Sequence, residues 1–491
     1  MMFEGEAEAW LGIDLGTQSV RALLVTADGT ALGSGTAPLT GRRDGVRHEQ
    51  DPGEWWKAVC TASRAAMSQG PARVRLGGLA VCGTSGTVLL TDAQGRPLTP
   101  ALMYDDGRAV EEAARVGMQT SWALPKALWL LDAYGPGRVT HQPDVITGQL
   151  ASGGGGPVPM PTDSSHALKT GYDAEHEVWP PQLAYLGAEL PEVVRPGTRL
   201  GEVCGAAAEA TGIPAGTPVI AGMTDGCAAQ IASGALRSGA WNSVLGTTLV
   251  LKGASARPVR DDAGVVYNHR APDGSWLPGG ASSVGAGALP TGVDPAQMDD
   301  RAAAYEPSGA LTYPLASPGE RFPFLAPDAT AFTLGTPVSE ADSWAAVLQG
   351  VAFTERLCLD YLHYLGAPID GPLTFTGGAA RSAYWNQLRA DILGRPARVP
   401  EQIEPALGMA VLAAYAAQGT GAEAGTGART LPEVADRMVR IRTLLEPRAS
   451  HTARFTEPYA RLVDELETRG WLPTPLATHT RTRLNQDTID S

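Results

Sequence analysis

The chain is short of positive charge. Its 38 lysines and arginines face 52 aspartates and glutamates, for a formal net charge of −14. Nothing forms the basic stripe that a phosphate backbone requires, so no nucleic-acid partner is expected. An anionic nucleotide would need local donors and a metal. Cysteine is also scarce. The five residues (Cys60, Cys82, Cys204, Cys227, Cys358) are scattered, odd in number and without a Cys-x-x-Cys pair. They read as buried small side chains in a reducing compartment, not as a disulfide framework. Long apolar runs are missing as well: none approaches the ~20 residues that span a bilayer. Met1 to Trp10 is acidic and lacks the basic, apolar, small-residue order of a leader. A cytoplasmic protein with no membrane partner is expected.

What is present fits a folded globular protein. At 491 residues the chain suits two domains of roughly 200 to 250 residues. A hydrophobic content of 43% with 18% charged residues describes a soluble globular protein.

Leu11 to Gly29 reads as a β-hairpin: an apolar run carrying Asp14, a turn at Gly16-Thr17-Gln18, a second apolar run, then Asp28-Gly29. A carboxylate within a buried run is costly unless paired or bound to a cation. The turn offers small residues and free N–H groups where an anion can approach. The plainer reading of Asp14 is an acid hydrogen-bonded to nearby N–H groups. Trp241 to Gly253 repeats the pattern without the acid, with its turn at Gly246-Thr247-Thr248. Two such hairpins half a chain apart predict two similar halves facing each other across a cleft, the layout of actin-like ATPases.

Between them lie further candidates. After the first hairpin a strand and a polar loop (Gly41 to Gln50) are expected, then a helix opened by Asp51-Pro52. Leu79 to Asp92 reads as strand, Gly-Thr-Ser-Gly-Thr loop, strand. Ser85 in that loop could orient a polyol, or simply serve turn chemistry. Tyr104 and Asp105 could line a sugar pocket, with Arg108 holding the loop through a carboxylate; a solvated turn is the plainer reading. Ser121 to Tyr134 is an amphipathic helix. Gly153 to Pro161 is a flexible break. Asp225 stands where a strand gives way to an Ala-rich helix, as an N-cap or, equally compatibly, as an ionised proton acceptor or metal-facing charge.

In the second half, Glu320 and Arg321 are expected to pair and stiffen a Pro/Gly loop. Leu373 to Ala380 is a strand followed by Gly377-Gly378 opening a helix, a seat for a nucleotide. Pro405 to Gln418 is a helix with Gly408 at a close-packing position. Thr474 to Ser491 lacks apolar periodicity and is expected to be disordered.

Taken in order, these segments resemble the FGGY carbohydrate kinases over roughly Leu11 to Gln418. LGIDLGTQSVRALL and SVLGTT look like the family's two phosphate motifs, and AGMTDGCAAQIASG like its catalytic segment. GERFPF looks like its GERxP loop, and TGGAARSAYWNQLRADILGRP with EPALGMAVLAA like its adenosine region. The resemblance implies an α/β fold of two actin-like (ribonuclease H-like) domains with ATP and sugar meeting between them. It implies residues 1–237 as a sugar-binding domain with the catalytic acid, 238–473 as a nucleotide-binding domain, and 474–491 as a tail.

By the same resemblance Asp225 is the catalytic base, and Mg²⁺ lies at Asp14 and Asp225. Gly16, Thr17, Gln18, Gly246, Thr247 and Thr248 take phosphates, and Gly377 and Gly378 the adenosine. Ser85, Tyr104, Asp105 and Asp225 meet the sugar. ALMYDDGRA resembles the WNDGR stretch of xylulokinases, but Gly-Thr-Ser-Gly-Thr replaces their Met-His-Gly motif. GTSGTVLL, TDSSHALKTGYD, AGMTDGCAA and WLPGGASS resemble the ribulose-kinase branch of plants and cyanobacteria, although Gln18 stands where that branch tends to carry Ser. The implied reaction is ATP-dependent phosphorylation of the terminal hydroxyl of a ketopentose, D-ribulose first and D-xylulose as the alternative, by a monomer or a homodimer. A non-catalytic ATP- and sugar-binding sensor is the remote alternative.

Overall fold

The computed structural model describes residues 7–71, 74–152, 158–419 and 428–490. The Gly153 to Pro161 break falls largely outside them, since residues 153–157 are not described. The chain divides into two compact units. One comprises Met1–Gly234, His269–Ser275 and Gln402–Arg440; the other comprises Ala235–Asn268, Trp276–Glu401 and Ile441–Ser491.

The first unit is built on a six-stranded sheet in the order Arg199–Glu202, Pro218–Ile220, Val74–Gly83, Ala7–Leu15, Ser19–Thr26, Ala31–Pro38. The hairpin read from the sequence forms with Asp14 opposite Arg21. Ala7–Leu15 also runs parallel to Val74–Gly83, which runs parallel to Pro218–Ile220. Helix Pro52–Gln69 packs beside it, capped by Asp51, whose Oδ1 accepts from Gly53 N–H at 2.8 Å. A smaller five-stranded sheet contains Arg42–Asp44, Arg47–Gln50, Ala101–Leu102, Val88–Thr91 and Arg138–His141. The stretch expected to be a polar loop therefore supplies two strands. Their alternation is hidden because the outward residues and most inward ones are polar, with only His48 and Gln50 buried.

The second unit repeats the topology. Hairpin Trp241–Leu245/Leu249–Gly253 is flanked on one side by antiparallel Trp276–Ser282. On the other side come parallel Leu373–Thr376, parallel Ala397–Pro400 and antiparallel Ile441–Leu445. The order and sense of these six strands match the first sheet, the structural counterpart of the repeated Gly-Thr turn; the second sheet has a seventh strand, Tyr267–Arg270, at the edge beside Trp276–Ser282.

Two sequence expectations are corrected. Helix Pro405–Ala416 belongs to the first unit, although it lies far along the second half of the chain. Gly408 allows this: a Cβ there would lie 1.9 Å from the Ala228 carbonyl oxygen, so only a glycine admits the neighbouring helix at that distance. The segment expected to be a disordered tail is a helix, Thr474–Asp490. Leu476, Thr480 and Leu484 are buried along it at a four-residue spacing, one helical face with a threonine in its middle.

The five cysteines are free thiols; Cys82, Cys227 and Cys358 are buried, and Cys60 and Cys204 half-buried. Among the described residues no helix is long and apolar enough to cross a membrane.

Candidate active site

In the first unit the site residues gather where neighbouring parallel strands end, the side of an open α/β sheet on which ligands bind. Asp14 is the penultimate residue of its strand, opposite Cys82 in the parallel pair. It is 3% exposed. Cys82 Sγ donates to its Oδ1 at 3.5 Å, and Arg21 Nη1 lies 3.6 Å from its Oδ2. Burial is the main force pushing the Asp14 carboxyl up to about 7, and the charge of Asp225 adds to it; Cys82 and Arg21 oppose the rise without cancelling it. A group held near neutrality in this way is typical of functional sites. The adjoining turn is tied through its backbone: Gly16 N–H bonds Ser19 O at 3.1 Å, and Gln50 Nε2 donates to Thr17 O at 2.7 Å. Gln18 is exposed.

Asp225 is the first residue of helix Asp225–Ala232, and Thr224 occupies the cap position. The N-cap reading of Asp225 is thus corrected: its Oδ1 accepts from Gly226 N–H at 2.7 Å, one residue on, and the half-buried carboxylate stays at the dipole-positive end of the helix. Thr224 bridges to Gly83, which brings the Gly-Thr-Ser-Gly-Thr loop beside Asp225. Thr224 is fixed from behind by Ser165, whose Oγ accepts its N–H at 2.9 Å and donates to Asp163 Oδ1 at 2.5 Å. His166 Nδ1 lies 2.5 Å from the other Asp163 oxygen. Burial pushes Asp163 up, but His166 and Ser165 together hold it below the usual carboxylate range.

In the loop itself, Thr84 and Thr87 spend their hydroxyls inward: the two oxygens are 2.6 Å apart, and Thr84 N–H and Oγ both reach Gln142 Oε1 at 2.8 Å. Ser85 is half-buried, and no hydrogen bond to its hydroxyl forms among the described residues. Tyr104 is 40% exposed. Its phenol is raised by burial and by the charges of Asp105 and Asp225, which places it near both. Asp105 is gripped by Arg43 Nη2 at 2.5 Å and His48 Nδ1 at 2.6 Å. Arg108 does clamp the loop, to buried Asp106 at 2.7 Å and to Glu49 at 2.7 Å.

Lys126 holds the same segment from below. Fully buried, its ammonium donates to the carbonyls of Met103, Tyr104 and Ser121 at 2.9–3.1 Å. Burial pushes its pKa down to about 7, with Lys169 adding to the effect. Three carbonyl acceptors nevertheless engage three N–H donors, which only the charged form has.

In the second unit the Gly246–Thr248 turn and the Gly377–Gly378 pair follow adjacent parallel strands, Val244 lying opposite Thr376. Gly377 has φ +84°, and a Cβ on it would lie 2.5 Å from Leu245 O, so no other residue fits beside the turn. Thr247 O accepts from Gly287 N–H at 3.0 Å, leaving its side chain exposed. The Gly pair opens a 3₁₀ turn, Gly378–Arg381, and not the helix expected from the sequence; helix Ala383–Leu393 has its own cap, Ser382 Oγ accepting from Trp385 N–H at 2.9 Å. The expected Glu320–Arg321 ion pair is absent among the described residues. Buried Glu320 instead accepts from Ser282 Oγ, Ser283 N–H and Tyr313 OH at 2.7–2.9 Å.

The N-terminal domain model of the FGGY family of carbohydrate kinases matches residues 9–123, and the C-terminal domain model matches 241–417. The chain belongs to the FGGY family of carbohydrate kinases. It is 31% identical over 458 residues to a xylulose kinase of Streptomyces coelicolor, covering 86% of this chain and 91% of that one. A xylulose kinase of Escherichia coli is 29% identical over 462 residues, covering 83% and 90%. The crystal structure of a xylulose kinase from Rhodospirillum rubrum superposes with a TM-score of 0.80 at 25% identity, over 93% of this chain and 98% of that one. This FGGY protein is an ATP-dependent sugar kinase with the two-domain α/β fold of its family.

Several residues of this FGGY kinase site were not singled out from the sequence. Arg21 was accessible to reasoning, since a hairpin centred on Gly16–Gln18 sets it opposite Asp14. Cys82, Lys126 and the Asp163–Ser165–His166 cluster carry no local signal. Their roles depend on which strands and helices become neighbours. Among the described residues no three His, Cys, Asp or Glu side chains converge on a ready-made metal cage. Two carboxylates, Asp14 and Asp225, are a donor set that fits Mg²⁺, which is commonly held by one or two carboxylates together with substrate phosphates.

Proposed function

We propose that this kinase transfers the γ-phosphoryl group of ATP to the terminal hydroxyl of D-ribulose, giving ADP and D-ribulose 5-phosphate. The observation that carries the reading is the pairing of Asp225, half-buried at a helix N-terminus, with buried Asp14 beside an unengaged Ser85 hydroxyl. Asp225 accepts the proton of the terminal hydroxyl as its oxygen bonds to the γ-phosphorus and the bond to the ADP oxygen breaks. Asp14 and Asp225 would hold Mg²⁺, which when bound neutralises phosphate charge. The Gly16–Gln18 and Gly246–Thr248 turns hold the phosphates through the backbone N–H groups of Thr17, Gln18 and Thr247 and the hydroxyls of Thr17, Thr247 and Thr248, while the Gly16 and Gly246 N–H groups close the turns themselves. Gly377 and Gly378 leave room for the adenosine. Transfer of this kind needs little beyond positioning and electrostatic stabilisation.

Ser85, Tyr104 and Asp105 orient the sugar. Asp105 is already locked by Arg43 and His48, so it presents a fixed acceptor edge. Ser85 brings a hydroxyl with both a donor and an acceptor to offer. A second reading, D-xylulose, is favoured by the names of the relatives; the two ketoses differ only in the configuration at C3. Substituting Asp225→Asn keeps shape and removes the base. Turnover is expected to fall by about 10² or more while ATP binding is retained. Near-normal turnover in the purified variant would remove Asp225 from the mechanism.

A further inference from the structure

In the first unit one short segment, 162–170, reaches both the base and the sugar loop. It comprises strand Thr162–Asp163, the helical turn Ser164–Ala167 and the 3₁₀ turn Leu168–Thr170. A single buried imidazole closes it at its two ends. His141 Nδ1 lies 2.9 Å from Thr162 Oγ1, and His141 Nε2 lies 2.8 Å from Thr170 Oγ1. All three side chains are fully buried, and satisfied polar groups in such a place make the stretch rigid. Two side chains leave this closed segment for the site: Ser165 meets Thr224, the residue before Asp225, and Lys169 meets Ser85.

The Ser165 arm has a fixed direction. Asp163 Oδ1 accepts the Ser165 hydroxyl at 2.5 Å, together with the N–H groups of Ser165 and His166 at 2.8 and 3.2 Å. An ionised carboxylate only accepts, so the hydroxyl hydrogen is committed to Asp163 and an Oγ lone pair is left for Thr224 N–H. The same direction excludes a nucleophilic serine: the buried hydroxyl donates to Asp163, and His166 meets the other carboxylate oxygen. Thr224 depends on this outside support. Its side chain makes no capping bond in helix Asp225–Ala232, while its carbonyl accepts from Cys227 and Ala228 N–H at 2.9 and 2.8 Å. The Ser165 bond and the bridge to Gly83 therefore fix where the helix begins and where Asp225 stands.

The Lys169 arm holds the sugar loop by its backbone. Half-buried Lys169 donates from Nζ to Ser85 O at 3.2 Å, and a Cβ on Gly86 would lie 3.3 Å from its Cδ. The Ser85 carbonyl is engaged in this way and its hydroxyl is not. We propose that segment 162–170 is a clasp that sets the spacing between base and acceptor sugar, Ser165 positioning Asp225 and Lys169 positioning Ser85. The inference rests on Asp225 as the base and on Ser85 as a sugar contact. Proton transfer demands close alignment, so a small shift at Thr224 costs turnover while binding is kept. A displaced Ser85 instead loosens the sugar in the ground state and the transition state alike, which raises KM. The two arms thus carry different kinetic signatures.

The test is steady-state kinetics of the full chain with Mg-ATP and the faster of D-ribulose and D-xylulose. The variants are Ser165→Ala, Lys169→Met, Asp225→Asn and the double variant Ser165→Ala with Asp225→Asn. Ser165→Ala is expected to lower kcat about tenfold with both KM values within about twofold of wild type. In the Asp225→Asn background the same change costs less than about twofold, because no base is left to align. Lys169→Met raises the sugar KM about fivefold and leaves kcat and the ATP KM within about twofold. If Ser165→Ala fails to fold, Ser165→Cys, close to serine in size but a weaker acceptor and donor, gives a smaller loss of kcat with the same non-additivity. Losses that multiply in the double variant, an unchanged kcat in the Ser165 variants, or an unchanged sugar KM in Lys169→Met would overturn the clasp and leave the base reading standing. Near-normal turnover in Asp225→Asn alone would remove the base reading itself, and the clasp with it.

Discussion

Replacing Asp14 with Asn separates what the site needs from what the fold prefers. The carboxyl is 3% exposed and is pushed from 3.8 up to about 7, chiefly by burial. Below about pH 4 it is protonated whether the chain is folded or not, and it contributes no pH dependence. Between about pH 4 and 7 the unfolded chain releases the proton and the folded chain retains it, so stability falls as pH rises. Above 7 both states are ionised and the folded protein carries the full cost. A gap of about three pH units corresponds to about 4 kcal/mol, and relaxation and water entry around the site reduce the expected figure to roughly 2 kcal/mol. Asn keeps the shape and an acceptor for Cys82 Sγ, and leaves Arg21 near Glu404 at 4.0 Å.

In EDTA without nucleotide, Asp14→Asn is therefore expected to melt about 4 °C above the wild type at pH 8 and level with it at pH 4. In Mg-ATP and sugar the same variant loses most of its turnover, because Asp14 is assigned to the phosphate-neutralising cation. A variant no more stable than wild type at pH 8, or a stability difference that does not change with pH, would refute this electrostatic account of Asp14.

Three further outcomes are expected. Ser85→Ala raises the sugar KM about tenfold or more with the ATP KM unchanged, since an unpaired sugar hydroxyl is left facing the loop; steady-state kinetics with each substrate varied reads this directly. Lys126→Met, similar in length but without donors, leaves the Met103, Tyr104 and Ser121 carbonyls unbonded, so it lowers the thermal midpoint by several degrees and raises the sugar KM more than the ATP KM. Gly408→Ala places a methyl 1.9 Å from Ala228 O and must force the packed helices apart; a loss of about 2 kcal/mol or more in urea unfolding is expected, and an unchanged denaturation midpoint would contradict the packing argument.

Much of this arrangement was legible because it is local. The hairpins with their Gly-Thr turns, the Asp51 cap and the Arg108 clamp each lie within a few residues of their own signal. The ordered motifs then placed the chain in its family. What could not be read depends on distant neighbours. Nothing near Pro405–Ala416 says that it packs in the first unit; a carbonyl at Ala228 and a missing side chain at Gly408 decide it. The C-terminal helix was concealed by Thr480, a polar residue in a buried stripe, so that hydropathy alone showed no period. Lys126 reads as an interruption in an apolar helix until the Met103–Tyr104 carbonyls arrive above it. Glu320 beside Arg321 invites an ion pair by adjacency, whereas burial next to Ser282, Ser283 and Tyr313 supplies neutral donors first.

The central claim is the identity of the acceptor. ADP release by the purified kinase, with Mg-ATP and D-ribulose, L-ribulose, D-xylulose, glycerol or sedoheptulose supplied singly, tests it most directly. The account predicts the highest kcat/KM on D-ribulose, by about tenfold or more over D-xylulose, the margin that about 1.4 kcal/mol of differential hydrogen bonding at C3 supplies. A preference for D-xylulose of the same size would contradict the role given to the Gly83–Thr87 loop, and turnover on none of the five would contradict the ketopentose assignment itself.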